Sequence, residues 1–284
     1  MIAVNTSRQL NLSVREICEH NRLKRGAYYK IKKRSETRKA IEYKVLELVR
    51  EERIIQSRVG TRKLHIGLKD DFQALDLKIG RDKLFSILRN NNLLVKRKRA
   101  SFKTTNSYHR FHKYNNLIKD MRITAPNQVW VSDITYIRTI KGFCYLALIT
   151  DLYSRKIVGS DISDSLELSG CLRALKMALA SNKSKNELVH HSDRGIQYCS
   201  NQYVSKLLKR NIKISMTEEN HCYENAVAER VNGILKDEFY LDQCFSNTLN
   251  AKKAAKSAIE IYNNKRLHLS LDYKTPNSVF NNLN

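Results

Sequence analysis

Apolar residues recur at helical intervals through the first third of the chain and switch to strand-like runs after Pro126. Ser13 stands in capping position before "VREICEH", and a turn near residues 21–24 leads into "GAYYKIKKR". A longer helix is predicted in "ETRKAIEYKVLELVREERIIQS", where Ile41, Val45, Leu48 and Val49 form a core stripe that Ile55 extends. "VGTRKLHIGLKDD" and "IGRDKLFSILRNNNLL" predict two more short helices, punctuated by Gly60 and Gly80 and stopped by the asparagines at 90–92. Residues 1–100 therefore read as an all-α, helix-turn-helix-like region.

Three runs rich in Val, Ile, Thr and aromatic residues follow Pro126: "NQVWVSDITYI", "GFCYLALITD" and "KIVGSDIS". The short turns between them predict antiparallel neighbours. A helix over about residues 166–181 comes next, then strand "LVHH", helix "NQYVSKLLKRN", strand "IKIS" and a helix from near Glu224. Antiparallel strands followed by alternating helices and strands make a mixed α/β layer.

Charge sharpens this division. Residues 1–120 hold 30 Lys/Arg against 12 Asp/Glu, whereas the remainder holds 22 against 16. Such a bias fits a polyanionic partner, nucleic acid before a merely solvated basic surface. Lys96, Arg97, Lys98 and Arg99 form a basic run just before residues 101–123, and the stretch reads as a linker tracking phosphate. The six cysteines are scattered without a Cys-x-x-Cys pair, which argues against a zinc knuckle or a disulfide framework. His109 and His112 have metal-like spacing but no cysteine pair beside them. The longest apolar run, 143–149, is too short for a bilayer, and Met1 opens a polar stretch rather than a signal peptide, so a cytosolic protein is expected.

Three carboxylates stand out. Asp133 lies inside the first predicted strand and Asp193 just past the fourth, in "VHHSDRGIQYCS". A carboxylate at a buried strand end is costly unless something binds it, and neighbouring strand ends form a ligand crevice. Glu229 lies in "CYENAVAERVNGILKDEF". At about 100° per residue, Asn225, Glu229, Asn232 and Lys236 share one helix face, with Val227, Val231, Ile234 and Leu235 opposite. The apolar stripe is expected on the sheet; the polar stripe alone would read as a solvated face.

Thirty-five residues separate Asp193 from Glu229. With "WVSDITYI", "HSDRGIQY", "CYENAVAE", Lys236 seven residues past the glutamate, and the tail "YNNKRLHLSLDYKTPNSVF", the chain resembles the Asp-Asp-35-Glu transposases and retroviral integrases. The likeness is nearest to insertion-sequence transposases of the OrfB type. It covers 120–280 strongly and 13–100 more loosely, through "VGTRKLH" and "LLVKRKR". Arg230 stands where serine is commoner and Thr61 where an aromatic is frequent, departures that bear on substrate fit.

The resemblance implies a ribonuclease-H-like sheet over 124–245, with a C-terminal helix and tail, 246–284, packed on it. It implies metal-dependent cleavage at insertion-element ends and strand transfer by a 3′-OH. Two Mg²⁺ ions (or Mn²⁺) would be shared by Asp133, Asp193 and Glu229, since hard cations prefer carboxylate oxygen. Its partners would be terminal inverted repeats, target DNA, further copies of the chain and a fused or associated upstream-frame product, all at the nucleoid. Lys236, His191, Arg194, Tyr198 and Asn225 are the expected DNA neighbours in the core. His191 either meets the scissile phosphate or orients Asp193, and Tyr198 either stacks on a base or is core. Gly195 is expected to permit a tight turn. A hydrolytic ribonuclease-H-like endonuclease and a catalytically silent DNA-binding regulator are the competing readings.

Overall fold

The structure is a computed structural model that describes residues 13–96, 111–182, 184, 187–218 and 225–281. Arg97, Lys98, Arg99 and His109 lie outside the described residues. The chain divides into two compact units. One runs to Glu52 and resumes over Gly67–Leu94; the other takes Arg53–Ile66 and Val95–Asn284. Residues 53–66, which the sequence places in the front region, thus cluster with the second unit. Among the described residues no helix is long and apolar enough to cross a membrane.

The first unit is helical. Helix α1 (Val14–His20) starts with a capping box: the Glu16 amide donates to Ser13 Oγ, and the Ser13 amide donates to the Glu16 carboxylate. The two helices expected next are one, α2 (Arg25–Ile55), because nothing between them breaks a helix: Ser35 and Thr37 are tolerated and no Gly or Pro intervenes. Val45 and Val49 are fully buried on it, while Ile55 is exposed and does not extend the stripe. The segment expected as one short helix is two, α3 (Thr61–Gly67), which up to Ile66 clusters with the second unit, and α4 (Lys69–Ala74), followed in the first unit by α5 (Arg81–Asn90). Leu84 and Leu88 of α5 are fully buried, and Asn91 just past it donates to Glu42 of α2 at 2.7 Å.

The second unit is built on a five-stranded sheet: β1 (Val129–Thr139), β2 (Gly142–Asp151), β3 (Ile157–Ser163), β4 (Val189–Ser192) and β5 (Lys213–Met216), in the order β3-β2-β1-β4-β5. The first three are antiparallel, as the short turns require; β4 and β5 run parallel to β1. This is the ribonuclease-H-like topology. Helices α6 (Leu168–Ser181), α7 (Ile196–Cys199) and α8 (Asn201–Leu208) fall on one face, burying Trp130, Ile149, Leu175, Tyr203 and Leu207 together. Gly159 of β3 lets the strand approach α6 closely, because a Cβ there would run into the Ala174 carbonyl.

Helices α9 (Ala226–Glu238) and α10 (Thr248–Asn264) cover the other face, packing Val231, Ile234, Leu235, Ala255 and Tyr262 on Ile137, Leu146 and Leu148. Asn263 of α10 pairs with both backbone groups of Ile157, accepting at 2.9 Å and donating at 3.0 Å, which pins the C-terminal helix to the edge strand. Helix α11 (Pro276–Asn281) closes the chain. At the end of α9, Glu238 accepts from Arg266 at 2.7 and 2.8 Å and from Lys63 at 3.1 Å. Arg58 donates to the Asp237 carbonyl nearby. Burial alone would raise the Glu238 carboxyl, but Arg266 and Lys63 hold it below the usual carboxylate range.

Candidate active site

Strand register assembles the first two acids. The β1–β4 ladder ends on the pair Ser132↔Ser192, so Asp133 and Asp193 are the next residues on two parallel strands. Such strands stand about 4.8 Å apart, and residues at matching register share a face. On that face Val129, Val131 and Val189 pack with Ala228 of α9, which brings the helix over the two acids.

Asp133 is held from two sides. The Ile134 amide donates to its Oδ1 at 2.9 Å, and Asn232 Nδ2 of α9 donates to its Oδ2 at 2.8 Å. Burial nevertheless pushes its carboxyl up to about 7; the Asp193 charge adds to that, the two hydrogen bonds oppose it, and Glu229 adds least. Asp193 accepts the Gly195 amide at 3.0 Å. Gly195 has an ordinary extended backbone, so the expected turn freedom is not its role. A Cβ there would stand 2.9 Å from Asp193 Oδ1, and glycine is what that close approach admits.

Glu229 is exposed in the first turn of α9. Among the described residues no three His, Cys, Asp or Glu side chains are drawn together closely enough to hold a metal. Asp133 and Asp193 are paired by register, and Glu229 is near enough for its charge to act on Asp133. The donor set still suits a hard divalent cation. It is all carboxylate, the Asp133 carboxyl is raised by desolvation and by a like charge, and the amide oxygens of Asn225 and Asn232 are buried with no hydrogen-bond donor. A cation held there would supply the missing counter-charge, and its bound water would supply donors.

The two asparagines of the α9 polar stripe do not face solvent, whereas Glu229 between them does. Asn225 and Asn232 are 4% and 5% exposed, and they bracket Glu229 in sequence. Asn225 Nδ2 donates to the Ser132 carbonyl at 3.1 Å, so the two asparagines tie α9 to consecutive residues of β1. Lys236 is half-buried; burial lowers its ammonium, and the Asp133 and Asp242 charges act against that. The sequence places Asn232 on this stripe but gives no sign that its asparagines turn inward.

Beneath the acids, His190 Nε2 bonds Ser132 Oγ at 2.7 Å and Tyr203 OH at 3.0 Å, and burial pushes the imidazole down to about 3, so it is neutral. His191 Nδ1 meets Ser215 Oγ at 2.8 Å. His191 is fully buried and Tyr198 is 3% exposed, ringed by His190 and Tyr203. Together with Asn225, these expected DNA neighbours are interior side chains: His191 within β4, Tyr198 on α7 and Asn225 at the start of α9. Arg194 is half-buried, its Nε donating to the Thr217 carbonyl at 2.7 Å, and Lys96 is exposed. Ser132, His190 and Tyr203 carry supporting roles that only the strand pairing reveals.

Integrase core domain family models match residues 123–222 and 210–276. The chain is 37% identical over 249 residues, 86% of its length and 88% of the relative's, to an uncharacterized 31 kDa protein of insertion element IS600 of Shigella sonnei. It is 37% identical to the transposase for insertion sequence element IS904 of Lactococcus lactis, over 57% of this chain and 64% of that one. It is 34% identical to transposase InsF for insertion sequence IS3A of Escherichia coli, over 60% of each. Among solved structures, the catalytic core domain of HTLV-2 integrase in complex with magnesium aligns with a TM-score of 0.46 and 20% identity, over 56% of this chain and 99% of that chain.

Proposed function

The chain belongs to the insertion-sequence transposases of the integrase superfamily, and from that membership we propose that Asp133, Asp193 and Glu229 form its catalytic centre. It is a DNA transposase of the integrase type. Its reaction is cleavage at the element's ends followed by attack of the released 3′-OH on target DNA.

The observation that carries the assignment is the placement of Asp133 and Asp193 at matching register past the last pair of two parallel strands, with α9 bound over them by Asn232. Asp133, Asp193 and Glu229 would hold two divalent cations; Mg²⁺ fits an all-oxygen set, and Mn²⁺ is its nearest substitute. When bound, the cations activate the attacking oxygen and offset charge on the phosphate and leaving oxygen. The chain's own residues do the rest. Asn232 and the Ile134 amide fix the Asp133 carboxylate, Gly195 fixes Asp193, and α9 carries Glu229 on a rigid element. Lys236 supplies a positive charge beside Asp133 for a phosphate near the scissile bond.

The basic front region binds the element's terminal repeats, and the exposed Lys96 opens a run of phosphate contacts. One centre per chain and two ends per element require more than one copy on DNA. An upstream-frame product fused to this chain would add to end binding, and work on chromosomal DNA places the assembly in the cytoplasm at the nucleoid.

The test is a joining assay on a pre-cleaved end of the element that carries this gene, with Mg²⁺. Asp133→Asn, Asp193→Asn and Glu229→Gln should each abolish cleavage and joining while DNA binding persists. A variant of the three that keeps joining removes that residue from the centre. Cleavage without any joined product would favour the hydrolytic endonuclease instead.

A further inference from the structure

Within the first unit, α2 and α5 flank an open cleft of about 630 Å³ lined by Lys33, Arg34, Thr37, Arg38, Ile41, Lys83 and Ser86. Among the described residues no carboxylate lines it. On α2, Lys33 and Thr37 are one turn apart, as are Arg34 and Arg38, so successive turns present cations along one face. Glu36 points about 130° away from the centre of that face. Asp82, the nearest acid on α5, is paired with Arg81 at 2.9 Å, and Glu42 takes the Asn91 amide at 2.7 Å. The neighbouring acids are thus engaged elsewhere, and Lys33, Arg34, Arg38 and Lys83 are all exposed. The hydroxyls of Thr37 and Ser86 donate to carbonyls of their own helices, which leaves their oxygens as partners for bound water.

We propose that this cleft seats the sugar-phosphate backbone of duplex DNA, with Lys33, Arg34, Arg38 and Lys83 neutralising phosphates without reading sequence. The proposal rests on the reading of the chain as a DNA transposase and names one surface of its front unit that holds the duplex. Four cations without a lining acid form a local excess of positive charge, and in an open cleft it is satisfied by an extended polyanion. The sole apolar lining residue, Ile41, gives no room for an apolar guest.

The experiment measures equilibrium binding of the full-length chain to duplex DNA in EDTA. With divalent metal removed, the outcome is independent of whether Asp133, Asp193 and Glu229 carry out chemistry. A variant with Lys33→Gln, Arg34→Gln, Arg38→Gln and Lys83→Gln is compared with one carrying Lys252→Gln, Lys253→Gln, Lys256→Gln and Lys265→Gln. Both lose the same charge from exposed positions. If each cleft cation covers one phosphate, the slope of log affinity against log salt flattens by about 3.6 in the cleft variant. The loss should be equal on a terminal-repeat duplex and on an unrelated duplex, and small in the control. Matching slopes in the two variants overturn the proposal. So does a loss confined to the terminal repeat, which would mean base reading, or one confined to RNA, which would mean a different polyanion.

Discussion

Asn232→Ala removes the side-chain donor that α9 extends to Asp133. The bond is 2.8 Å long and nine-tenths buried on the asparagine side. A hydrogen bond to a charged group contributes about 1.5–3 kcal/mol. That energy favours the ionised carboxylate, so its loss raises the Asp133 carboxyl further above its position at about 7, by about one to two pH units. A cation has to displace that proton, so apparent metal affinity falls when the proton binds more tightly. Near pH 6.5 the variant should bind Mg²⁺ or Mn²⁺ about tenfold to a hundredfold more weakly than the parent. Near pH 9.5 both carboxyls are ionised and the gap should close to a few-fold. Calorimetric titration of the DNA-free chain across that range reads the effect directly, and the single tryptophan, Trp130, buried three residues before Asp133, offers a fluorescence readout. A deficit of the same size at every pH would refute the reasoning, for it would mean that Asn232 acts through shape and not through the charge on Asp133.

Asp133→Asn should raise the melting temperature of the metal-free chain at pH 8. The folded carboxyl is raised by burial, so its ionisation costs stability as pH climbs from its unfolded value towards about 7; unchanged melting at both pH 5 and pH 8 would count against that. Lys236→Ala should weaken joining of a pre-cleaved end, while Lys253→Ala, an exposed lysine on α10, should not; equal joining by the two makes Lys236 ordinary surface. Arg266→Ala leaves Glu238 with Lys63 alone and should cost about 3–5 kcal/mol, read by urea unfolding; a loss below about 1 kcal/mol would show that water takes the arginine's place.

Local pattern carries some of this structure and not the rest. The elements that carry the acids at 133, 193 and 229 are legible because their signal is one-dimensional: a strand, a strand end and a helix at a fixed spacing. The three antiparallel strands are legible because short turns leave no other pairing. The fusion of two expected helices into α2 is missed because weak helix formers near Ser35 look like a break in sequence and are not one in a folded helix. The direction of the α9 polar stripe is missed because helical arithmetic fixes which residues share a face, not what that face meets. Asn232 finds Asp133 ninety-nine residues away through helix-on-sheet packing, and His190 finds Ser132 across fifty-eight through strand pairing. The burial of His191 follows from its parallel pairing on both sides and that of Tyr198 from the helices packed on the sheet, neither of which a histidine run at a strand end announces.

The clasp of Lys63 and Arg266 on Glu238 bears on how such elements exchange parts. The integrase-type segment is recognised from residue 123 onward, yet Lys63 lies sixty residues before it and Arg58 binds the same helix end. A recombination event that swaps front ends at the recognised boundary would strip the carboxylate of one cation and the helix of one cap. Viable chimaeras should therefore carry residues 53–66 along with the downstream part, or arrive with a compensating base. The unit of inheritance here is a discontinuous one, set by an ion cluster and not by the family boundary.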